Sequence, residues 1–287
     1  MSLHSVCPLC GSKKYVSFWA MPGYELFRCS KCSLVWDPFP PENVTAQYQE
    51  NYFINNNPKG GYANYFEGMK INSITFKDRL QRIKNKTKIN SALLDIGSAL
   101  GDCLLQAKKL GWKNILGLDT SVFACQSAQK RGANVKCGTL DTVKLPSNNF
   151  SLVLAQDVIE HIPDPLTFLK KIHSLLKPGG YLFIVTPEMD GFWLKLLRRF
   201  WYHYKPQEHL VYFSQSTMKQ ALKEAGFNNI ETRPTYHIMS VEYIFRRLIY
   251  YSPGLFSLLL KLSQILGISQ TPLRVYAGEL EAWAQKP

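Results

Sequence analysis

The stretch Ala92-Leu93-Leu94-Asp95-Ile96-Gly97-Ser98-Ala99-Leu100-Gly101-Asp102 decides how the chain is read. Residues 92–96 are an apolar run of strand length, broken only by Asp95. Residues 97–101 begin and end on glycine, as a tight loop prefers, and residues 102–110 continue as a helix. The alternation goes on downstream. A strand at 114–118 closes on Asp119, followed by a helix at 121–131 and strands at 134–137 and 150–155. A helix at 165–176, a Lys177-Pro178-Gly179-Gly180 turn and a strand at 181–186 complete the series. Strands spaced by helices of this length predict an α/β fold with a doubly wound parallel sheet. Ligands of such sheets bind beyond the carboxyl ends of the strands.

The 97–101 loop lacks the G-x-G-x-x-G spacing that brings backbone against a pyrophosphate. An acid at the strand end suits a ligand carrying an ammonium group and no phosphate there. Asp119, 24 positions after Asp95, is placed to accept hydrogen bonds from ribose hydroxyls. Together these features point to an adenosyl amino acid, not a dinucleotide.

With the series LLDIGSALGD, LGLDTS, VKCGTLDTVKLPSNNFSLVLAQDVIEHIPDP and LKPGGYLFIVTP in that order, residues 85–287 resemble the class I S-adenosylmethionine-dependent methyltransferases. The resemblance implies a Rossmann-like, seven-stranded sheet and S-adenosyl-L-methionine as cofactor. It places Asp95 and Gly97 along the methionine portion and brings Gly101 close to the ligand. Asp119 and Thr120 would lie at the ribose, Thr139, Leu140 and Asp141 around the adenine, and Gln156 at the methionine end. The family often has an acid where Thr139 stands, which leaves the adenine amino contact open. The chain is most similar to members that methylate small molecules such as sugars and quinone precursors, some with a comparable zinc ribbon. The implied acceptor is a small molecule, for instance a sugar or a lipid-linked or phosphorylated glycan precursor. Ribosomal RNA methylation, with the ribbon binding substrate, is the competing reading. Against it, Gln156-Asp157 stand where an Asn-Pro-Pro-aromatic motif of base methylation would be. A cofactor-binding scaffold without catalysis is a third reading.

Four of the seven cysteines form two pairs, Cys7-x-x-Cys10 and Cys29-x-x-Cys32, separated by residues 11–28. Two such knuckles at this distance match a four-thiolate tetrahedral zinc site. The alternative, a pair of disulfides, is disfavoured in a cytoplasmic protein. With all four positions filled by cysteine the metal is expected to be structural. Cys103, Cys125 and Cys137 read as small core residues. The expected organisation is a zinc-ribbon module at 1–40, an aromatic and basic helical linker at 41–89, and the methyltransferase domain at 90–287 with an insertion at 236–272. The linker aromatics Tyr48, Tyr52, Phe53, Tyr62, Tyr65 and Phe66 read either as a cover for the cofactor pocket or as a helix docking the ribbon.

Two histidines are candidates for removing a proton from an acceptor hydroxyl. His161 follows Asp157 and Glu160 just past the fourth strand. His209 lies in Glu208-His-Leu-Val-Tyr-Phe-Ser, and in similar methyltransferases this histidine faces the acceptor pocket. For each, the plainer reading is a histidine that orients a loop. Asp157, Glu160 and His161 also form a candidate site for a second, divalent metal.

The chain carries 34 Lys and Arg against 21 Asp and Glu, a net charge of +13, which attracts anions of any kind. Residues 70–88 hold seven basic residues and one acid, and residues 195–205 four basic residues and none. The bland reading of both is a solvated helix face. Phe192, Trp193, Leu196, Leu197, Phe200, Trp201 and Tyr204 fall on one side of a predicted helix, with Lys195, Arg198, Arg199 and His203 on the other. Further amphipathic segments at 241–251 and 255–266 precede a terminal strand at 274–284. Such helices suit peripheral attachment to an anionic membrane, or a lid, or a homodimer interface. No secretory pattern opens the sequence, and its most apolar run is too short to span a bilayer. The expected location is the cytoplasm or the inner membrane face.

Overall fold

The computed structural model describes residues 5–21, 24–41, 44, 48, 52–53, 65–87, 92–249 and 251–287, with the side chains of the 65–87 helix from residue 72 onward. Tyr62 and the side chains of Tyr65 and Phe66 lie outside the described residues. In chain order the described elements are β1 (Tyr15–Met21), β2 (Tyr24–Cys29), β3 (Val35–Trp36), α1 (Tyr65–Thr87), β4 (Leu93–Ile96), α2 (Asp102–Lys109), β5 (Ile115–Asp119), α3 (Val122–Lys130) and β6 (Val135–Cys137). They continue with β7 (Phe150–Gln156), α4 (Pro165–Leu175), β8 (Leu176–Pro187), α5 (Phe192–Leu197), β9 (Val211–Tyr212), α6 (Gln215–Glu224), β10 (Asn228–Ser240), α7 (Val241–Leu248), α8 (Pro253–Ile265) and β11 (Pro272–Gln285).

Among the described residues, seven strands form one mixed sheet in the order β10-β11-β8-β7-β4-β5-β6. β4 to β8 are parallel, and β11 runs antiparallel to both β8 and β10. Chain order reverses between β4 and β7, so the crevice for a ligand opens at their carboxyl ends. Successive side chains of a strand point to opposite faces, and the core divides accordingly. Leu94, Ile96, Val153, Ala155, Leu182 and Ile184 pack on one face with α4 and α6. Leu93, Leu152, Leu154, Phe183, Val185 and Trp283 pack on the other, against Leu80 and Ile83 of α1 and Leu104 and Ala107 of α2. The sheet is doubly wound.

The helices start where their sequences supply caps. Asp164 accepts from the Thr167 N–H ahead of Pro165, and Ser214 and Thr217 form a reciprocal capping box on α6. Each such cap is worth about 1 kcal/mol.

The ribbon strands make a second sheet, β1-β2-β3-β9, whose last strand comes from the main domain. Val35 pairs with Tyr212 and Trp36 with Val211. Cys7, Leu9, Phe27, Leu34 and Trp36 are buried in the same cluster as Leu210, Val211 and Phe213. The ribbon packs continuously with the larger sheet.

Several expectations need correction. Lys177-Pro178-Gly179-Gly180 is no separate turn: it is a bulge inside β8, where Phe150 faces Leu176 and Leu152 already faces Tyr181. The predicted helix over 192–204 stops at Leu197, because Arg198 adopts φ +48° and residues 198–200 tighten into a 3-10 turn. Trp201 and His203 are then buried instead of lying along an amphipathic face. The insertion is shorter than 236–272. β10 runs to Ser240 and β11 begins at Pro272, leaving a helical hairpin of α7 and α8. The basic run on α1 is only in part a solvated face: Lys77 and Lys86 are exposed, but Arg79 is buried and Arg82 pairs with Asp78 and Glu281. Cys103 and Cys125 are buried as expected, whereas Cys137 is exposed.

Candidate functional site

Asp95, the last residue but one of β4, is buried, and burial pushes its carboxyl up to about 7, helped by the charge of Asp119 and opposed by the Cys103 thiol. Gly97 follows at φ +72°, and a side chain there would meet the Val158 methyl at 2.4 Å, so the loop lies against the start of the β7 connection. Asp119 at the end of β5 accepts from the Ala99 and Ser121 N–H groups at 2.7 and 2.9 Å. Burial raises its carboxyl, and these amides offset part of that rise. One carboxylate thus braces the loop that the other borders. Ser98 Oγ, next to Gly117 of β5, is buried with no partner among the described residues. A buried acid, an orphaned hydroxyl and a tight glycine loop fit a ligand with a cationic amino-acid end.

Gly101, at φ +81°, caps α2. A Cβ there would meet Ala133 and Ala128 at 2.9 and 3.1 Å, so on that side the backbone packs directly against these two alanines. Thr120 follows Asp119 at the crevice rim. Thr139 spends its hydroxyl on the Asp141 and Thr142 amides of its own turn. Leu140 packs against the core, and Asp141 is exposed and ion-paired with Lys171. Gln156, at the end of β7, donates to Cys103 Sγ and accepts from Arg79 Nη1 at 3.0 Å. The structure therefore brings Asp95, Gly97, Asp119 and Gln156 around one crevice, while Asp141 turns outward. Phe53 of the linker packs on Leu100 and Ala124 beside it.

His161 and His209 lie with ring centroids 4.8 Å apart, edge to face. The Glu208 carbonyl, which can only accept, is 2.8 Å from His161 Nδ1, so Nδ1 carries the proton and Nε2 keeps its lone pair. Tyr48 reaches the same nitrogen at 2.9 Å and stacks edgewise on Tyr52, bringing the linker over this histidine. Burial lowers His161 to about 4 and His209 well below the usual imidazole range, so both rings are neutral. Glu160 is buried with Thr186 donating to it, and burial together with Asp157 raises its carboxyl. One ligand atom from each of Glu160, His161 and His209 falls within 4.8 Å of the others. Two imidazoles and a carboxylate suit a divalent first-row ion. Asp157, expected in that set, instead sits at φ +54° under the influence of Glu279, His237 and Arg79.

That second group is one the sequence did not single out. Glu279 is bonded to His237 Nε2, and Arg79 Nη2 lies 3.1 Å from the same nitrogen. A carboxylate only accepts, so His237 Nε2–H donates to Glu279. Burial would raise the Glu279 carboxyl, but His237 and the nearby His203 and Arg79 outweigh it and hold it low, at about 2. His203 is anchored through the Ala277 carbonyl and lies 6.1 Å from His209. A continuous polar belt thus runs from Tyr48 through His161, His209, His203 and Glu279 to Arg79 and Gln156. The visible signal was Gly278-Glu-Leu-Glu-Ala-Trp-Ala284: two acids in an otherwise apolar strand need buried partners.

The four cysteine sulfurs cluster as the knuckles require. Cys7 Sγ is 3.5 Å from Cys32 Sγ and Cys10 Sγ 3.5 Å from Cys29 Sγ, with all four within 4.8 Å. Disulfide sulfurs lie about 2 Å apart. A tetrahedron with metal–sulfur bonds of 2.3 Å has edges near 3.8 Å, by simple geometry. The residue after each pair, Gly11 and Ser33, turns at φ +67° and +66°, and the Lys31 and Cys32 amides donate to Cys29 Sγ. These donors fit a thiolate cluster around zinc. A separate groove of about 740 Å³, lined by Lys108, Trp112, Asn114 and Phe150, opens at the amino ends of the strands, away from all of these groups.

The family model described as a methyltransferase domain matches residues 70–232, more than half of the sequence. The chain belongs to the methyltransferase-domain family. Among curated relatives of this methyltransferase-domain chain, the ubiquinone biosynthesis O-methyltransferase of Coxiella burnetii is 29% identical over 122 residues, 40% of this chain and 50% of that protein. The rice 2-methyl-6-phytyl-1,4-hydroquinone methyltransferase 2 is 24% identical over 148 residues, 49% of this chain and 40% of its own. The chain spans a quarter to a half of the length of the first curated relatives it matches. A SAM-dependent methyltransferase from Archaeoglobus fulgidus superposes with TM-score 0.53 at 18% identity, covering 77% of this chain and 99% of that one. A phosphoethanolamine N-methyltransferase 2 from Haemonchus contortus, solved with S-adenosylhomocysteine, gives 0.53 at 17%, covering 88% and 63%. At these identities the structures share the fold.

Proposed function

We propose that the protein transfers a methyl group from S-adenosyl-L-methionine to a hydroxyl of a small-molecule acceptor. The observation that carries this reading is the juxtaposition, at one sheet edge, of the Asp95–Gly97–Asp119 crevice with the histidine belt. The cofactor, when bound, supplies an electrophilic methyl on sulfur. Asp95 would face its ammonium group, Asp119 and Thr120 its ribose, and Gln156 its methionine end. Arg79, held between Gln156 and Glu279, offers a guanidinium to the carboxylate of the same amino acid. Displacement at sulfur is in line, so the chain's main contribution is to hold the acceptor oxygen on the far side of the methyl. His161 Nε2 and His209 present lone pairs that accept the acceptor's hydroxyl proton.

The polar lining suits a ring with several hydroxyls, such as a hydroquinone or a sugar, including a lipid-linked or phosphorylated glycan precursor. The O-methyltransferase name of the Coxiella burnetii relative supports an oxygen acceptor. We further propose that Cys7, Cys10, Cys29 and Cys32 hold a structural zinc ion that fixes the ribbon, with no open position for chemistry.

The test is incubation of the protein with methyl-labelled cofactor and a cell metabolite extract, followed by mass spectrometry. Label should appear on a hydroxylated compound of low mass. Label confined to RNA, or no binding of the cofactor by calorimetry, overturns the reading.

A further inference from the structure

The α7–α8 hairpin carries an apolar surface that the methyl-transfer site does not use. Of the thirteen residues of α8 only Lys261 is charged. Leu255, Leu258, Leu262 and Ile265 recur at i, i+3, i+7 and i+10 and so share one side of the helix. They are 53%, 55%, 43% and 80% exposed. The helix does not lack an inner side. Phe256 packs on Phe245 of α7, and Ser263 is buried and bonded to the Leu260 carbonyl. Leu266, Ile268 and Leu273 carry the exposed stripe on past the helix end.

A second apolar group lies beside it. Phe192, Leu196 and Phe200, on α5 and the following 3-10 turn, are each about 60% exposed. The Tyr251 hydroxyl donates to the Phe200 carbonyl at 3.5 Å, joining this turn to the start of α8. Trp193 donates to the Tyr276 carbonyl of β11 at 2.6 Å, so α5 and the hairpin are moored on the same strand. That part of β11 extends beyond the carboxyl end of β8, which pairs only as far as Glu279 opposite Pro187. The apolar surface therefore stands at the same end of the sheet as the histidine belt.

The charge on these elements has one sign. Lys195, Arg198, Arg199, Arg246 and Lys261 are exposed, while the only acid in residues 192–205 and 241–271 is Glu242, paired with Arg246. We propose that this face docks on the surface of an anionic lipid bilayer, with the aliphatic stripe in the interfacial layer and the basic side chains among the headgroups. A second copy of the chain is a poor occupant. A twofold interface sets a patch against itself and would bring all five cations of each protomer together. Nucleic acid is a poor one too, because its phosphates leave aliphatic side chains nothing to bury against. An exposed aliphatic stripe flanked by cations of one sign is what an anionic bilayer interface takes up.

The proposal is independent of the acceptor and is tested without an activity assay. Full-length protein is sedimented at low salt with vesicles of phosphatidylcholine alone or mixed with phosphatidylglycerol. Wild type should sediment with the anionic vesicles and be released by added salt. L258S/L262S/I265S and R198S/R199S/R246S/K261S should each bind about tenfold more weakly or worse, with thermal unfolding and cofactor binding like wild type, since every altered side chain is exposed. No sedimentation with anionic vesicles, or undiminished binding by both variants, overturns the proposal. So does a concentration-dependent dimer that the leucine variant dissolves in a protein that ignores vesicles. So does tight binding of an RNA oligonucleotide, unaffected by the leucine variant, in a protein that ignores vesicles.

Discussion

Asp95 is protonated in the empty fold at mildly acid pH, because burial holds its carboxyl near 7. The unfolded chain ionises this group near pH 4, so between about pH 4 and 7 the folded empty protein binds the extra proton. Its stability contribution is present at low pH and is lost as pH rises toward 7. A ligand ammonium favours the opposite, ionised state. Cofactor affinity measured by calorimetry should therefore weaken by up to about tenfold per pH unit below 7, and Asp95→Asn should bind weakly without that slope. His161→Gln and His209→Gln should lower kcat by about 10²- to 10⁴-fold while leaving cofactor Kd nearly unchanged; an equal loss of cofactor binding would assign them to the wrong ligand. Asp95, Asp119 and the cysteine pairs were legible because their spacing along the chain encodes their geometry. Arg79, His203, His237 and Glu279 were not, because they come from four separate segments and meet only when α1, β10 and β11 pack. Arg79 in particular looked like one more cation in a basic run.

Element boundaries were readable wherever one strong signal ruled, as at Asp164-Pro165 before α4 or Ser214 before α6. They failed where packing overrode local pattern. The helix expected over 192–204 is cut at Arg198 because Trp201 turns inward to join Tyr24, Leu26 and Tyr212. The Gly179-Gly180 pair reads as a turn yet is absorbed as a bulge, since β8 must regain register with β7 on both sides of it. Gly101 teaches the same at a junction of two helices. Its place in the motif suggests a ligand contact, but a methyl group there would press on Ala128 and Ala133 at a left-handed φ. Gly101→Ala should thus cost about 1–3 kcal/mol in chemical unfolding, and a variant as stable as wild type would refute the packing role.

At the scale of the molecule the ribbon and the histidine belt are one structure, since β9 begins two residues after His209 and completes the cysteine sheet. Protein purified without chelator should carry one zinc per chain by elemental analysis, and Cys29→Ser with Cys32→Ser should abolish it. Because the Val35–Tyr212 and Trp36–Val211 pairs depend on the folded knuckles, the metal-free protein should keep cofactor binding but lose methyl transfer. Loss of both together would mean that the ribbon supports the whole fold. The doubly wound half was foreseeable from alternating strands and helices; this pairing across some 175 residues was not, because no local pattern records which distant strand meets an edge.

The position of β11 between β8 and β10 bears on how the protein is made. On the ribosome β10 emerges before the strand that joins it to the sheet. Until residues 272–285 follow, β8 and β10 each offer an open edge. For that interval the nascent chain is sticky at two edges. A chaperone would find there its first opportunity to bind.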